Sequence, residues 1–242
     1  MLQANPHRYE FKLRCSAHQL AQVQAWVRLH SAHWRVTYPS RYVNNIYFDT
    51  VDHQCLNDNL GGVGTRQKLR LRWYGQDLDT IAEGQLELKC KEGSVGWKET
   101  CPLKLPAKGD LRVLDLAHQT WPELYQAVKR LTDARANLWL ENLPCPTLIN
   151  HYHRTYYATP DQSVRLTIDS NLRVFDQRFS VRPNLHLPSP ITDYVIVELK
   201  ADREFSSRLV NLLDRFPIRV GRSSKYVQGV LAAPGFHGVE LS

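Results

Sequence analysis

The sequence predicts an α+β protein in which an antiparallel sheet has one charged face and one apolar face, the apolar face being covered by helices. Two observations carry this prediction. Several short segments alternate charged and apolar residues, and this two-residue period is typical of strands because successive side chains point to opposite faces of a sheet. Other segments place apolar residues three and four positions apart, which is typical of amphipathic helices.

In the first half of the chain, the strand candidates are residues 9–13, 42–49, 66–74, 85–91 and 97–103. A helix is predicted to begin at Ser16, because Ser16 and Gln19 fit a capping box and apolar residues follow at helical spacing. A second helix is predicted near Thr120, with Pro122 in its first turn. The glycine-rich residues 61–64 are predicted to form a hairpin turn ahead of the strand at 66–74.

In the second half, the strand candidates are residues 147–159, 163–169 and 194–200. A long loop with three prolines, 176–193, lies between the last two, and loops of this length are often functional or mobile. A helix is predicted to begin at Asp202 and to end before Pro217. A last helix is predicted to begin near Ser223 or Ser224.

The composition is that of a basic globular protein of 242 residues, and we predict a single domain over residues 1–242. The net charge of +7 favours an anionic partner, such as phosphate, nucleic acid or an acidic membrane surface. No stretch resembles a signal peptide or approaches the roughly 18 apolar residues of a spanning helix, so no membrane span is expected. The five cysteines are odd in number and lack a CxxC spacing, which predicts reduced thiols and a cytoplasmic location.

The cations of the strand candidates fall on alternate positions. Residues 66–74 read RQKLRLRWY, which places Lys68, Arg70 and Arg72 on one face and Leu69 and Leu71 on the other. Like charges that share a face destabilise a sheet unless an anion or water offsets them. The same alternation occurs at Glu10, Lys12, Glu87, Lys89, Lys91, Arg165, Asp169, Glu198 and Lys200.

Two arrangements are consistent with these charged faces. In the first, the faces turn toward one another inside a barrel whose polar interior binds an anion. In the second, a half-open sheet leaves its charged face in water, as in many antiparallel proteins. The number of Arg and Lys residues favours the first. The acidic residues of the same faces either bind a divalent metal beside phosphates or pair with neighbouring cations.

Eight short motifs occur in an order that resembles a known family. The order YEFK, YFDT, RQKLRLRWYG, LELK, HRTYY, VRLTID, VELK and SSKY resembles the VTC domain, the polyphosphate polymerase branch of the triphosphate tunnel metalloenzymes. The resemblance implies an eight-stranded antiparallel β-tunnel with a charged interior and with helices packed on the outside. It also implies a phosphotransferase that uses Mn²⁺ or Mg²⁺ to move the ATP γ-phosphate onto a polyphosphate chain. The alternatives are a non-catalytic binder of polyphosphate or triphosphate, and a triphosphate hydrolase of the same superfamily.

The resemblance also assigns roles to individual residues. The wider superfamily begins with Glu-x-Glu-x-Lys, but Arg8 occupies the first Glu position here, which favours the VTC branch over the hydrolases. The expected ligands are ATP, triphosphate and polyphosphate, and a membrane-protein partner is left open. The implied catalytic residues are Arg70, Arg72, Lys89, Arg154, Arg165 and Lys200; the implied substrate-binding residues are Lys12, Lys68, Lys98 and Lys225; the implied metal ligand is Glu198, with Asp169 a further candidate for the site.

Other functions have less support in the sequence. His151 and His153 share one face of a strand, but no third ligand has a clear spacing to them. The aromatic residues that could stack on bases are scattered over several segments and no RNA-recognition signature is present, so no nucleic-acid partner is expected. No nucleophile-elbow motif occurs either.

Overall fold

The computed structural model describes residues 8–93, 95–104, 114–213, 216, 218, 221 and 223–233. Its strands are β1 (Arg8–Ser16), β2 (Arg35–Asp49), β3 (Arg66–Tyr74), β4 (Thr80–Ile81), β5 (Gly84–Glu92), β6 (Val95–Pro102), β7 (Leu114–Asp115), β8 (Cys145–Ala158), β9 (Val164–Asp176) and β10 (Tyr194–Asp202). Its α-helices are α1 (Leu20–Leu29), α2 (Gln54–Leu60), α3 (Trp121–Leu131), α4 (Ala134–Asn142), α5 (Ser206–Leu213) and α6 (Lys225–Leu231). Short 3₁₀ turns, Ala17–Gln19 and Arg203–Phe205, precede α1 and α5.

Eight strands form one antiparallel sheet in the order β1-β10-β9-β8-β2-β3-β5-β6, and the two short strands β4 and β7 pair with each other. Each of the eight strand candidates read from the sequence corresponds to one strand of this sheet. The predicted fold class, an α+β protein with an eight-stranded antiparallel sheet and helices, is confirmed.

The chain divides into two compact units. The first comprises Met1–Tyr42, Tyr152–Leu172 and Thr192–Ser224, and the second comprises Val43–His151, Arg173–Ile191 and Lys225–Ser242. The prediction of a single domain concerns independent folding and stays a prediction.

The core of the first unit lies between two helices and the apolar face of its strands. Val197 and Leu199 of β10 are fully buried and belong to the same cluster as Leu166 of β9. Val23 of α1 and Leu209 of α5 complete this cluster with no exposed surface of their own. The capping box predicted at the start of the first helix is present, so the sequence signal and the packing agree there.

The core of the second unit places α3 and α4 over β2 and β3. Ile46 of β2 and Leu71 of β3 line an apolar cavity of about 390 Å³ together with Leu124 of α3 and Leu140 of α4. A capping box at Thr120 begins α3, where a helix was predicted. In both units the apolar strand face is therefore the one that helices cover, which leaves the charged residues on the other face.

Some elements differ from the sequence prediction. The strand predicted from residue 42 begins at Arg35. The prediction of a hairpin turn at residues 61–64 is wrong, because these residues connect α2 to β3. Helix α2 was not predicted, since the carboxylate that accepts hydrogen bonds from its second and third N–H groups belongs to Asp49, which precedes the helix by several residues. The predicted helix end before Pro217 lies outside the described residues.

Among the described residues, no helix is both long enough and apolar enough to span a membrane.

Candidate functional site

In the first unit, charged residues of three neighbouring strands lie in register. Glu10 of β1 is opposite Lys200 of β10, and Lys200 is opposite Arg165 of β9. Two residues further along, Lys12 is opposite Glu198. Because alternate residues share a face, these five side chains form one charged patch, which we call the first patch.

Glu198 is the most buried member of the first patch, with 10% of its side chain exposed. Its carboxylate lies 3.0 Å from Nζ of Lys200 and 3.6 Å from Nζ of Lys12. Burial raises the pKa of Glu198, but the charge of Lys200, a hydrogen bond with Glu10 and the charge of Lys12 together hold that pKa well below its ordinary value. Glu198 is therefore a charged carboxylate at neutral pH.

Arg154 of β8, also in the first unit, is held by Asp169 of β9. Its Nε lies 2.5 Å from Oδ1 of Asp169 and its Nη2 lies 2.7 Å from Oδ2, so the pair is bidentate. The guanidinium also lies over the ring of Tyr152, 5.3 Å from its centroid. Burial lowers the pKa of Arg154, but the charge of Asp169 and the hydrogen bonds with it outweigh this effect, so the net shift of the pKa is upward. The carboxylate of Asp169 thus orients Arg154 within the protein.

In the second unit, three lysines lie side by side on three adjacent strands. Lys68 of β3 is opposite Lys89 of β5, and Lys89 is opposite Lys98 of β6. A row of like charges is unfavourable in a sheet unless an anion offsets it. This row, together with Arg70 and Arg72 of β3, forms what we call the second patch.

Glu87 of β5 is the buried counter-charge of the second patch, with 1% exposure. Its Oε2 accepts a hydrogen bond from Nε of Arg70 at 2.7 Å and lies 3.6 Å from Nη1 of Arg72. Its Oε1 accepts a hydrogen bond from Nζ of Lys98 at 2.9 Å. Burial raises the pKa of Glu87, but the charges of Arg70, Arg72 and Lys98 hold it far below its ordinary value.

Tyr47 of β2 lies among the cations of the second patch. It is opposite Arg70, whose Nη1 donates to the tyrosine hydroxyl at 3.4 Å, and its ring centroid is 5.2 Å from that of Tyr226 in α6. Burial raises the pKa of Tyr47, but the charges of Arg70, Arg72 and Lys225 lower it, and the net shift is downward. Lys225, the first residue of α6, therefore acts electrostatically on the same patch.

The structure brings the residues predicted from the sequence together within each unit. Their exposure varies: Arg72 is buried, whereas Lys89 and Arg165 are exposed. Their roles in binding or catalysis stay predictions. In the first unit they are Lys12, Arg154, Arg165, Glu198 and Lys200, and in the second unit they are Lys68, Arg70, Arg72, Lys89, Lys98 and Lys225.

Sequence reasoning did not select three uncharged residues that contact the second patch or its counter-charge. Asn45 accepts a hydrogen bond from Nε of Arg72 at 2.9 Å, and Gln85 donates one to Glu87 at 2.8 Å. Tyr47 is the third. Asn45 and Tyr47 alternate with buried apolar residues along β2, so a search for uncharged polar residues with the strand period would have found them.

The two histidines considered as metal ligands have other surroundings. Nδ1 of His151 lies 2.6 Å from Oδ1 of Asn44, and burial lowers the pKa of His151 to about 4. The ring of His153 packs edge-on against Tyr42, with 5.3 Å between the centroids. Among the described residues, no group of three or more His, Cys, Asp or Glu side chains is arranged to hold a metal ion.

Comparison with known proteins identifies the family. The model of the VTC domain matches residues 7–233. The chain belongs to the VTC domain family. The resemblance inferred from the eight motifs is thereby confirmed.

One relative and two solved structures are similar to this VTC chain. Vacuolar transporter chaperone complex subunit 2 of Saccharomyces cerevisiae is 28% identical over an alignment of 159 residues, and the match covers 54% of this chain but only 18% of the yeast protein. A chain of the Schizosaccharomyces pombe Mediator head module is 9% identical with a TM-score of 0.50, over 88% of this chain and 96% of that chain. A candidate adenylate cyclase from Vibrio parahaemolyticus is 14% identical with a TM-score of 0.47, over 95% and 99% of the two chains. At 9% identity, the likeness to the Mediator head chain concerns the fold alone.

Proposed function

We propose that this VTC domain is a metal-dependent phosphotransferase that moves the γ-phosphate of ATP onto a polyphosphate chain. The observation that carries the proposal is that each unit has Arg and Lys side chains on one strand face around a buried carboxylate, Glu198 in the first unit and Glu87 in the second. Membership of the family supports a polyphosphate-related function. The polymerase reaction, inside a basic tunnel, comes from the resemblance described above.

Phosphoryl transfer depends mainly on positioning and on neutralising the charge of the phosphate oxygens. Arg70 and Arg154 are oriented by Glu87 and Asp169, so they can offer donors to a phosphate with little reorganisation. An arginine presents a planar fork of donors, whereas the lysines supply point charges that adapt to a moving chain. The acceptor in a polymerase is itself a phosphate oxygen, so the reaction needs no strong base.

Glu10 and Glu198 are the residues that would hold a divalent metal in the first unit. Both carboxylates contact the same two lysines, Lys12 and Lys200. Two neighbouring carboxylates repel each other, and a bound cation offsets that repulsion. Hard carboxylate oxygens suit Mg²⁺ or Mn²⁺. When bound, the metal would neutralise negative charge on the phosphate oxygens. Lys12 and Lys200, which flank Glu198, would supply further positive charge to the same phosphates.

The sequence motif at the start of β1 favours transfer to phosphate over transfer to water. A superfamily hydrolase uses the paired carboxylates of Glu-x-Glu-x-Lys to activate water, but this chain has Arg8 at the first of these positions. Since one carboxylate of the motif is missing, the water-activating arrangement is incomplete.

The location and partners are also proposals. The five cysteines are free, which supports a reducing compartment such as the cytoplasm. The yeast relative is named as a subunit of a complex, which supports a partner protein for this chain. A membrane protein that accepts the product stays a proposal.

The proposal is tested by incubating the purified protein with ATP and Mn²⁺ and sizing the phosphate product on a gel. We expect long polyphosphate chains from the wild type. Arg70→Ala should raise the activation barrier by about 2–4 kcal/mol, by analogy with the loss of one preorganised donor. Arg130→Ala, on the exposed surface of α3, removes the same charge and should have little effect. Orthophosphate as the only product would indicate a hydrolase, and polyphosphate binding without turnover would indicate a non-catalytic binder.

A further inference from the structure

A chain of buried amides holds Arg72 in the second patch. Nε of Arg72 donates to Oδ1 of Asn45 at 2.9 Å, and Nδ2 of Asn45 donates to Oδ1 of Asn150 at 2.7 Å. Both asparagines have no exposed surface, and Arg72 is 9% exposed. All three residues belong to the second unit. We call this hydrogen-bonded set the amide relay.

The direction of the amide relay follows from the chemistry of its members. A guanidinium can only donate hydrogen bonds, so Asn45 must turn its oxygen toward Arg72 and its NH₂ group toward Asn150. Asn150 must then accept with its own oxygen. Its Nδ2 is left buried without an acceptor among the residues that the structure describes. A buried donor without an acceptor lowers stability, so a gain in stability alone does not explain the relay.

Arg70 and Arg72 are held in different ways. Arg70 directs both Nε and Nη2 toward the carboxylate of Glu87, at 2.7 and 2.5 Å, which neutralises much of its charge. Arg72 directs Nε toward a neutral amide, and its Nη1 is 3.6 Å from Glu87, beyond hydrogen-bond length. The amide relay thus orients Arg72 while leaving more of its positive charge for an anionic ligand.

We propose that Asn45 and Asn150 are positioning residues that orient Arg72 toward a phosphate group of the substrate. This inference rests on the proposed function, because it takes phosphate as the ligand of Arg72. A carboxylate in place of Asn45 would hold the guanidinium at least as firmly, but it would neutralise the charge that the phosphate needs.

A double-mutant cycle with inorganic tripolyphosphate, measured by calorimetry at pH 7, tests the proposal. Asn45→Ala should weaken binding about tenfold, the order expected for one hydrogen bond to a charged group. In an Arg72→Lys background, which has no Nε–H for Asn45 to orient, the same change should alter the dissociation constant less than about twofold. Additive effects of the two substitutions would overturn the proposal.

Asn44→Ala is the matched control, since Asn44 is equally buried on the neighbouring position of β2 and bonds instead to Gly75 and His151. Its effect should be small and equal in both backgrounds.

Asn45→Asp is the second variant, used if the alanine variant does not fold. It keeps the acceptor for Arg72 but should bind tripolyphosphate about tenfold more weakly. Wild-type affinity in Asn45→Asp would contradict the proposal. A wild type that binds no tripolyphosphate would overturn the proposed function as well, whereas normal wild-type binding with additive effects would overturn this inference alone.

Discussion

Glu87→Gln removes the buried negative charge of the second patch while preserving the shape of the side chain. In the wild type, Oε2 of Glu87 accepts a hydrogen bond from Arg70 at 2.7 Å, and Oε1 accepts one from Lys98 at 2.9 Å. Glutamine offers one acceptor oxygen and one NH₂ group in the same positions. One of the two cations would therefore face a donor instead of a carboxylate oxygen.

The magnitude follows from the burial of the partners. Removing one member of a buried ion pair costs about 3–5 kcal/mol, because the other charge stays buried. The side chains of Arg70 and Lys98 are 21% and 39% exposed, so water offsets part of the lost interaction. We therefore expect Glu87→Gln to lower the free energy of unfolding by about 2–3 kcal/mol.

Urea denaturation at pH 7, with and without tripolyphosphate, measures this effect. Glu92→Gln is the matched control, because Glu92 is exposed at the end of the same strand, and its effect should stay within about 0.5 kcal/mol. Tripolyphosphate should stabilise Glu87→Gln at least as much as the wild type, since the ligand supplies the missing negative charge. A variant as stable as the wild type would refute the reasoning that Glu87 compensates the buried cations.

Two further predictions concern metal and pH. Glu198→Gln should abolish Mn²⁺-dependent turnover while preserving the fold, because it removes a carboxylate ligand of the metal. Glu204→Gln, at an exposed position, should preserve both turnover and fold. An unchanged Mn²⁺ titration of Glu198→Gln would show that Glu198 is not a metal ligand. Burial lowers the pKa of His151 from 6.5 to about 4, so the unfolded chain binds this proton more readily, and stability should fall by about 3 kcal/mol as the pH drops from 6.5 toward 4. His151→Gln should reduce this loss and His186→Gln, at an exposed position, should not; identical pH profiles in urea denaturation would contradict the assignment.

The faces of the strands could be predicted from the sequence because their period is a local property of the backbone. The alternation at residues 66–74 was enough to separate Lys68, Arg70 and Arg72 from Leu69 and Leu71. The structure agrees, since Leu69 and Leu71 are 0% and 1% exposed on the face that packs into the core. The helix start at Ser16 was predicted from its capping box for the same reason, because cap and helix are adjacent in sequence.

Helix α2 has a cap that local sequence patterns do not reveal. The N–H groups of Cys55 and Leu56 donate hydrogen bonds to the carboxylate of Asp49, six and seven residues earlier in the chain. The hydroxyl of Tyr226, far later in the sequence, donates to the same carboxylate. A cap that depends on such distant groups has no signature within a short window of sequence.

The sequence by itself therefore determined the fold class, the charged faces of the strands and the resemblance to the family. The tertiary structure alone decided which groups are partners: Glu87 with Arg70, Asp169 with Arg154, and Asn45 with Arg72. These partners are separated by 17, 15 and 27 residues. The strand period assigns each side chain to a face, but the residue opposite it depends on the register between strands, which the packing of the whole sheet determines.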